Sequence, residues 1–139
     1  MTQIVLVGTE VPLLEGLAQS FGALGFTPMV APTLHEGREL AAQHQPLIAV
    51  VSRVLAAESS AETLGIPVAP GGALVLYRVV GSQLVTLSPR VQRAVMADLT
   101  LPLERNRLMA LVQHVGERAR ATGRDRGDVQ EIGSEGQRI

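Results

Sequence analysis

The chain has 139 residues, 46% of them hydrophobic and 18% charged, with a formal net charge of −1. That length suits one domain able to bury a core without covalent staples. Cysteine is absent, which excludes disulfides, thiol catalysis, thiolate metal sites and iron–sulfur clusters. All twelve basic residues are arginine, so no lysine is available for a Schiff base, a P-loop or a phosphate clamp. The three aspartates, Asp98, Asp125 and Asp128, all lie in the last third. The near-neutral charge argues against a nucleic-acid platform, and Phe21, Phe26 and Tyr77 are too few aromatics for a base-stacking surface. The first residues have neither the basic flank nor the apolar core of a signal peptide, and no stretch is long enough to cross a bilayer. A cytoplasmic protein with no membrane and no nucleic-acid partner is expected.

Short apolar runs alternate with helical patterns along the chain. Ile4 to Val7 is a continuous apolar run stopped by Gly8, which predicts a strand buried on both faces. Leu14, Leu17, Ala18, Phe21 and Leu24 recur at helical spacing, and Gly25 ends the pattern as a C-cap. Phe26 to Ala31 reads as a second strand, whose Pro28 suits only a sheet edge. Thr33 to Glu36 has the spacing of a capping box and opens a second helix through Ala42. Leu47 to Val51 is a third buried strand, Ala56 to Leu64 a short helix, Pro67 to Gly72 a loop, and Ala73 to Leu76 a fourth strand.

Residues 79–87 read as a turn and an extra strand pairing back on the fourth. Ser88-Pro89 supplies an N-cap with proline at the first helical position, for a short helix to Met96. Asp98 to Leu101 is the last strand, ended by Pro102. Leu108, Leu111, Val112, Val115 and Ala119 mark one face of the final helix. From Gly123 the chain is polar and aperiodic, so a domain over residues 1–122 and a polar C-terminal tail over 123–139 are expected.

Strand–helix alternation with continuous apolar strands predicts an α/β, flavodoxin-like, doubly wound parallel sheet of five strands in the order 2-1-3-4-5. The functional crevice of that topology lies at the carboxyl ends of the strands. The residues there are Gly8, Thr9 and Glu10, then Ser52 and Arg53, Tyr77 and Arg78, and Leu101 and Pro102.

These positions carry a resemblance. The opening run from Ile4 to Pro12, the third-strand segment from Gln45 to Ser52, and Asp98 to Leu103 followed by Leu108 resemble the receiver domains of response regulators. The likeness spans about residues 3 to 120, in order and spacing rather than in one motif. In that family an acidic pair on strand one holds magnesium, an aspartate ending strand three takes the phosphoryl group, and a lysine on strand five contacts it. The resemblance places Gly8 and Thr9 at the acidic pair, with Glu10 in the following position, where the family often has another acidic residue. It places Ser52 at the phosphoacceptor, Tyr77 near the strand-four hydroxyl position and Leu101 at the lysine. It also implies a cis bond before Pro102. Since no aspartate precedes Asp98 and lysine is absent, no small register shift restores the site, which implies a degenerate, unphosphorylated pseudo-receiver without a metal or other cofactor.

The residues themselves leave plainer readings open. Ser52 is either a modifiable serine or a hydrogen-bonding loop residue. Arg53 and Arg78 form either a small anion site or ordinary ion pairs. Glu10 suits the positive end of the first helix. Tyr77 is either a rotameric switch or a packing residue. His35, His44 and His114 are too scattered for a metal centre.

The reading of function that follows is signal transduction by protein–protein contact, not catalysis. The face formed by the fourth helix, fifth strand and fifth helix would present Arg90, Arg93, Leu99, Arg105 and Arg107 to a protein partner or a second copy, arginine being suited to paired carboxylates. Only a tail follows the receiver-like part, so action through another protein is expected. The alternative is a small-ligand or nucleotide-binding flavodoxin-like domain, although Gly8-Thr9-Glu10 is no phosphate cradle. An enzyme built on Ser52 lacks Gly-x-Ser-x-Gly and a histidine placed by sequence to activate the hydroxyl.

Overall fold

The structure, a computed structural model, describes residues 2–58, 65–81 and 87–130. Among these residues five strands and five helices alternate: β1 (Gln3–Val7), α1 (Val11–Ala23), β2 (Thr27–Ala31), α2 (Leu34–His44), β3 (Ile48–Ser52), α3 (Arg53–Glu58), β4 (Ala73–Val79), α4 (Pro89–Ala94), β5 (Ala97–Leu101) and α5 (Arg105–Gln130). The sheet is wholly parallel, in the order β2-β1-β3-β4-β5. Parallel pairing requires crossover helices, and these cover both faces. That is why β3 is buried along its whole length and β1 from Ile4 onward.

Alternation of side chains along the strands divides the core in two. Ile4, Leu6, Ile48, Val50, Val75, Tyr77, Leu99 and Leu101 point toward Leu14, Leu17 and Phe21 of α1 and Leu108, Val112 and Val115 of α5. Val5, Val7, Ala49, Val51 and Leu76 point the other way, toward Ala56 of α3 and Val91 of α4. Burial of about 25 cal/mol per Å² of apolar surface on each side drives the layering.

Local signals account for most element ends. The Thr33 hydroxyl accepts from the Glu36 N–H at 3.1 Å, starting α2, and the Ser88 hydroxyl accepts from Val91 N–H at 3.2 Å, starting α4 ahead of Pro89. Pro28 lies on β2, a sheet edge, where its missing N–H costs no ladder bond. After α1, Leu24 caps the helix and Gly25 turns the chain at φ +95°, a conformation glycine adopts freely.

Several boundaries differ from the sequence expectation, by one or two residues at most strand ends and by more at others. The third helix starts at Arg53, not Ala56, because no glycine or proline separates it from β3 and the chain enters the helix directly. The fourth strand continues past Leu76, since Tyr77, Arg78 and Val79 pair with Leu99, Thr100 and Leu101. The fourth helix stops at Ala94, and the Met96 N–H donates to the Leu74 carbonyl, returning the chain to the sheet. The last helix runs through Gly123 to Gln130; one glycine costs about 1 kcal/mol relative to alanine and does not by itself end a helix. The centre of the expected extra strand, residues 82–86, and the end of the expected tail, 131–139, lie outside the described residues.

Candidate functional site

Four strands deliver residues to one rim of the sheet. Val7 is level with Val51, and Ser52 with Tyr77, which is itself level with Leu99. Carried one residue further, the β1–β3 register sets Gly8 beside Ser52. Gly8, Ser52 and Tyr77 therefore form one row across three adjacent strands, facing α1 and α5. Leu101 stands one side-chain step further along, level with Val79, and its peptide bond to Pro102 is cis.

The row is tied together by one phenol. Tyr77 is 1% exposed, and its hydroxyl donates to Glu10 Oε1 at 2.6 Å, a short charge-assisted bond between residues 67 positions apart. Ser52, 4% exposed, hydrogen-bonds the same phenol. Burial, then the Glu10 bond and charge, push the Tyr77 pKa far above its ordinary value; the Ser52 bond pulls weakly the other way. The hydroxyl lies directly over Gly8. A Cβ added at Gly8 would overlap it, with Cζ at 3.0 Å and Glu10 Oε1 at 3.3 Å. Thr9 turns to the other carboxylate oxygen, donating to Glu10 Oε2 at 3.3 Å.

These residues do not fit a divalent cation. Magnesium needs several oxygen ligands, carboxylates foremost; the carboxylate beside the row, that of Glu10, is engaged by Tyr77, and those of Asp98 and Glu104 are taken up by Arg53 and by Thr100 and Arg107. Among the described residues no group of three or more histidines, aspartates and glutamates could hold a metal. His35 instead approaches Glu39 at 3.7 Å on α2, and His44 lines a cavity of about 450 Å³ with Thr2 and Gln3 at the opposite, amino end of the strands.

The two arginines beside the rim have separate partners. Arg53 pairs with Asp98 across β4, and Arg78 Nε donates to Thr100 Oγ1 at 2.9 Å. They do not converge on a shared anion site.

The face expected to meet a partner needs one correction. Leu99 is 1% exposed and packs into the α1–α5 core, because it shares the inward parity of Tyr77 and Leu101. Arg90, Arg93, Arg105 and Arg107 are exposed, and the apolar surface near them belongs to Met96 and to Leu103, 77% exposed. Arg105 contacts the Ser20 hydroxyl of α1. Glu104, missed in the sequence, organises the end of β5. Its carboxylate accepts from Thr100 N–H at 2.8 Å and from Arg107 at 2.9 Å, while its own N–H donates to the Thr100 carbonyl at 2.8 Å. Those two bonds to the carboxylate, Thr100's foremost, hold its pKa below the usual range. The end of an edge strand that could template pairing with another chain is thereby closed.

The Tyr77–Glu10 contact was also beyond sequence pattern, although one signal existed: a glycine and a tyrosine at positions the topology makes neighbours, a small residue facing a large one.

No family model matches the chain, and no curated protein matches it. Solved structures do. It is similar to a signal receiver domain from Vibrio parahaemolyticus (15% identity, 88% of this chain and 95% of that one, TM-score 0.65). It is similar to a response regulator from Burkholderia pseudomallei whose structure holds a phosphorylated aspartic acid, a calcium ion and citrate (14%, 88% and 73%, TM-score 0.65). A CheY-like receiver domain from Methanospirillum hungatei JF-1 matches at 15% identity, over 87% and 98% of the two chains, with TM-score 0.63. Among the described residues no helix is long and apolar enough to cross a membrane. The strand order, the flanking helices and these likenesses give the chain the fold of response-regulator receiver domains.

Proposed function

We propose that residues 1–122 form a receiver-like signalling module that acts by protein contact, takes no phosphoryl group and catalyses no reaction. One observation carries this reading: the rim that would hold a metal and an acyl phosphate presents Gly8, Ser52, Tyr77 and Leu101, and the carboxylate beside them, Glu10, is bound to Tyr77. Phosphoryl transfer relies on metal and cationic charge to stabilise the transition state; the chain has no lysine, and the arginines beside the rim, Arg53 and Arg78, are engaged by Asp98 and Thr100. Ser52 is buried and engaged with the Tyr77 phenol beside it on β4, not presented to a donor.

The partner surface in this reading is the α4–β5–α5 side. Arg90, Arg93, Arg105 and Arg107 flank exposed Met96 and Leu103, a combination suited to an acidic protein surface with apolar anchors. The module would work in the cytoplasm. A second copy is the other candidate occupant of that side.

Intact-mass analysis after incubation with acetyl phosphate and magnesium tests the proposal. The expected mass is unchanged. An adduct, on Ser52 or any other side chain, would overturn it.

A further inference from the structure

A receiver pocket stripped of its acids could have become an empty notch. Here it is filled from within. The Tyr77 ring reaches from β4 over β3 to lie above β1, its hydroxyl taking the volume a side chain at Gly8 would need. It meets Glu10, just beyond β1, and Ser52, at the end of β3. One phenol therefore joins the carboxyl ends of three adjacent strands. The bond to Glu10 is short and lies in a partly buried, low-dielectric setting, where charge-assisted hydrogen bonds are strongest. Displacing the phenol would strip Glu10 of that donor and expel a buried aromatic ring from the α1–α5 core.

We infer that Tyr77 is the pocket's permanent occupant and Gly8 its receptacle, so that the ends of β1, β3 and β4 are held in one arrangement that neither a divalent cation nor a phosphoryl analogue strengthens or releases. This rests on the reading above that the module takes no phosphoryl group, and it adds how the pocket is held without one. Glu10 and Ser52 act as positioning residues for the phenol.

Amide hydrogen exchange on the full chain tests it, in wild type and Tyr77→Phe, with and without magnesium and beryllofluoride. In wild type, exchange at residues 8–11, 50–53 and 77–81 should be unaffected by the additives. Tyr77→Phe keeps the ring and removes only the hydroxyl; exchange at those residues should rise about tenfold or more, with β2 and α2 unchanged. If Tyr77→Phe fails to fold, Glu10→Gln, which leaves the core ring in place, should raise exchange at the same residues in the same direction. Unchanged exchange in the folded variants would mean the phenol only packs, and protection of these residues by magnesium and beryllofluoride would mean the pocket opens; either overturns the inference. An acetyl-phosphate adduct with the exchange pattern as expected would defeat the functional reading alone.

Discussion

Gly8→Asp, which returns to β1 the acidic residue that the resemblance to receivers implies, is expected to destabilise the domain by about 3 kcal/mol or more rather than to create a metal site. The new Cβ would overlap the Tyr77 hydroxyl, and relief requires moving a ring that is 1% exposed or shifting the end of β1. The aspartate would also set a second negative charge beside Glu10, the acceptor of the Tyr77 bond. Urea unfolding of Gly8→Ala, alone and with Tyr77→Phe, separates the two causes. Removing the hydroxyl leaves Cζ, at 3.0 Å, as the next ring atom in the way. The alanine should therefore cost at least about 1 kcal/mol less in the Tyr77→Phe background, a coupling typical of residues in contact. Equal costs in the two backgrounds would show that the hydroxyl does not fill the space over Gly8.

Gly72→Ala should be as damaging, for a reason remote from the rim. Gly72 enters β4 against the start of β3: its N–H donates to the Ala69 carbonyl at 2.8 Å, and the next N–H, of Ala73, donates to the Leu47 carbonyl at 2.9 Å. An added Cβ would overlap the Leu47 carbonyl oxygen and come within 2.8 Å of that of Ala69. Both obstacles are backbone atoms engaged in hydrogen bonds, so no rotamer change relieves them. A loss of about 3 kcal/mol, lowering the melting temperature by roughly 10 °C in a domain of this size, is expected in a thermal scan. A shift under about 2 °C would mean that the turn before β4 yields, and that the packing of this turn on β3 is loose.

Much of the architecture was legible because its signals are local. The apolar run of Ile4 to Val7 and that of Leu47 to Val51 mark strands buried on both faces, and the Thr33 and Ser88 caps mark helix starts; together they yield the parallel order. Other features depended on contacts that no local pattern carries. The extension of β4 through Val79 is secured by pairing with β5, some twenty residues on in sequence. A reading of β5 as part of an outer face puts Leu99 on the surface, whereas parity with Tyr77 turns it into the core. The rim shows the same division. Gly8, Ser52, Tyr77 and Leu101 were each placed at strand ends by pattern and resemblance. That Tyr77 crosses to Glu10 depends on the β1–β3–β4 register and on the absence of a side chain at Gly8, a pairwise fact visible only in three dimensions.

Tyr77 is the chain's one tyrosine, and there is no tryptophan, so its ionisation can be followed without interference. An alkaline titration of the 295 nm absorbance beside far-UV circular dichroism tests the occupied pocket most directly. The Tyr77 pKa is raised in the folded chain, so the unfolded chain loses its phenolic proton first. The stabilisation is complete below the ordinary phenol value of about 10 and declines as pH rises above it. The predicted result is no tyrosinate signal while the fold is intact, with absorbance and helical signal changing together at higher pH. A tyrosinate transition centred near pH 10 with the circular dichroism unchanged would contradict it, placing the phenol in water and leaving the pocket open.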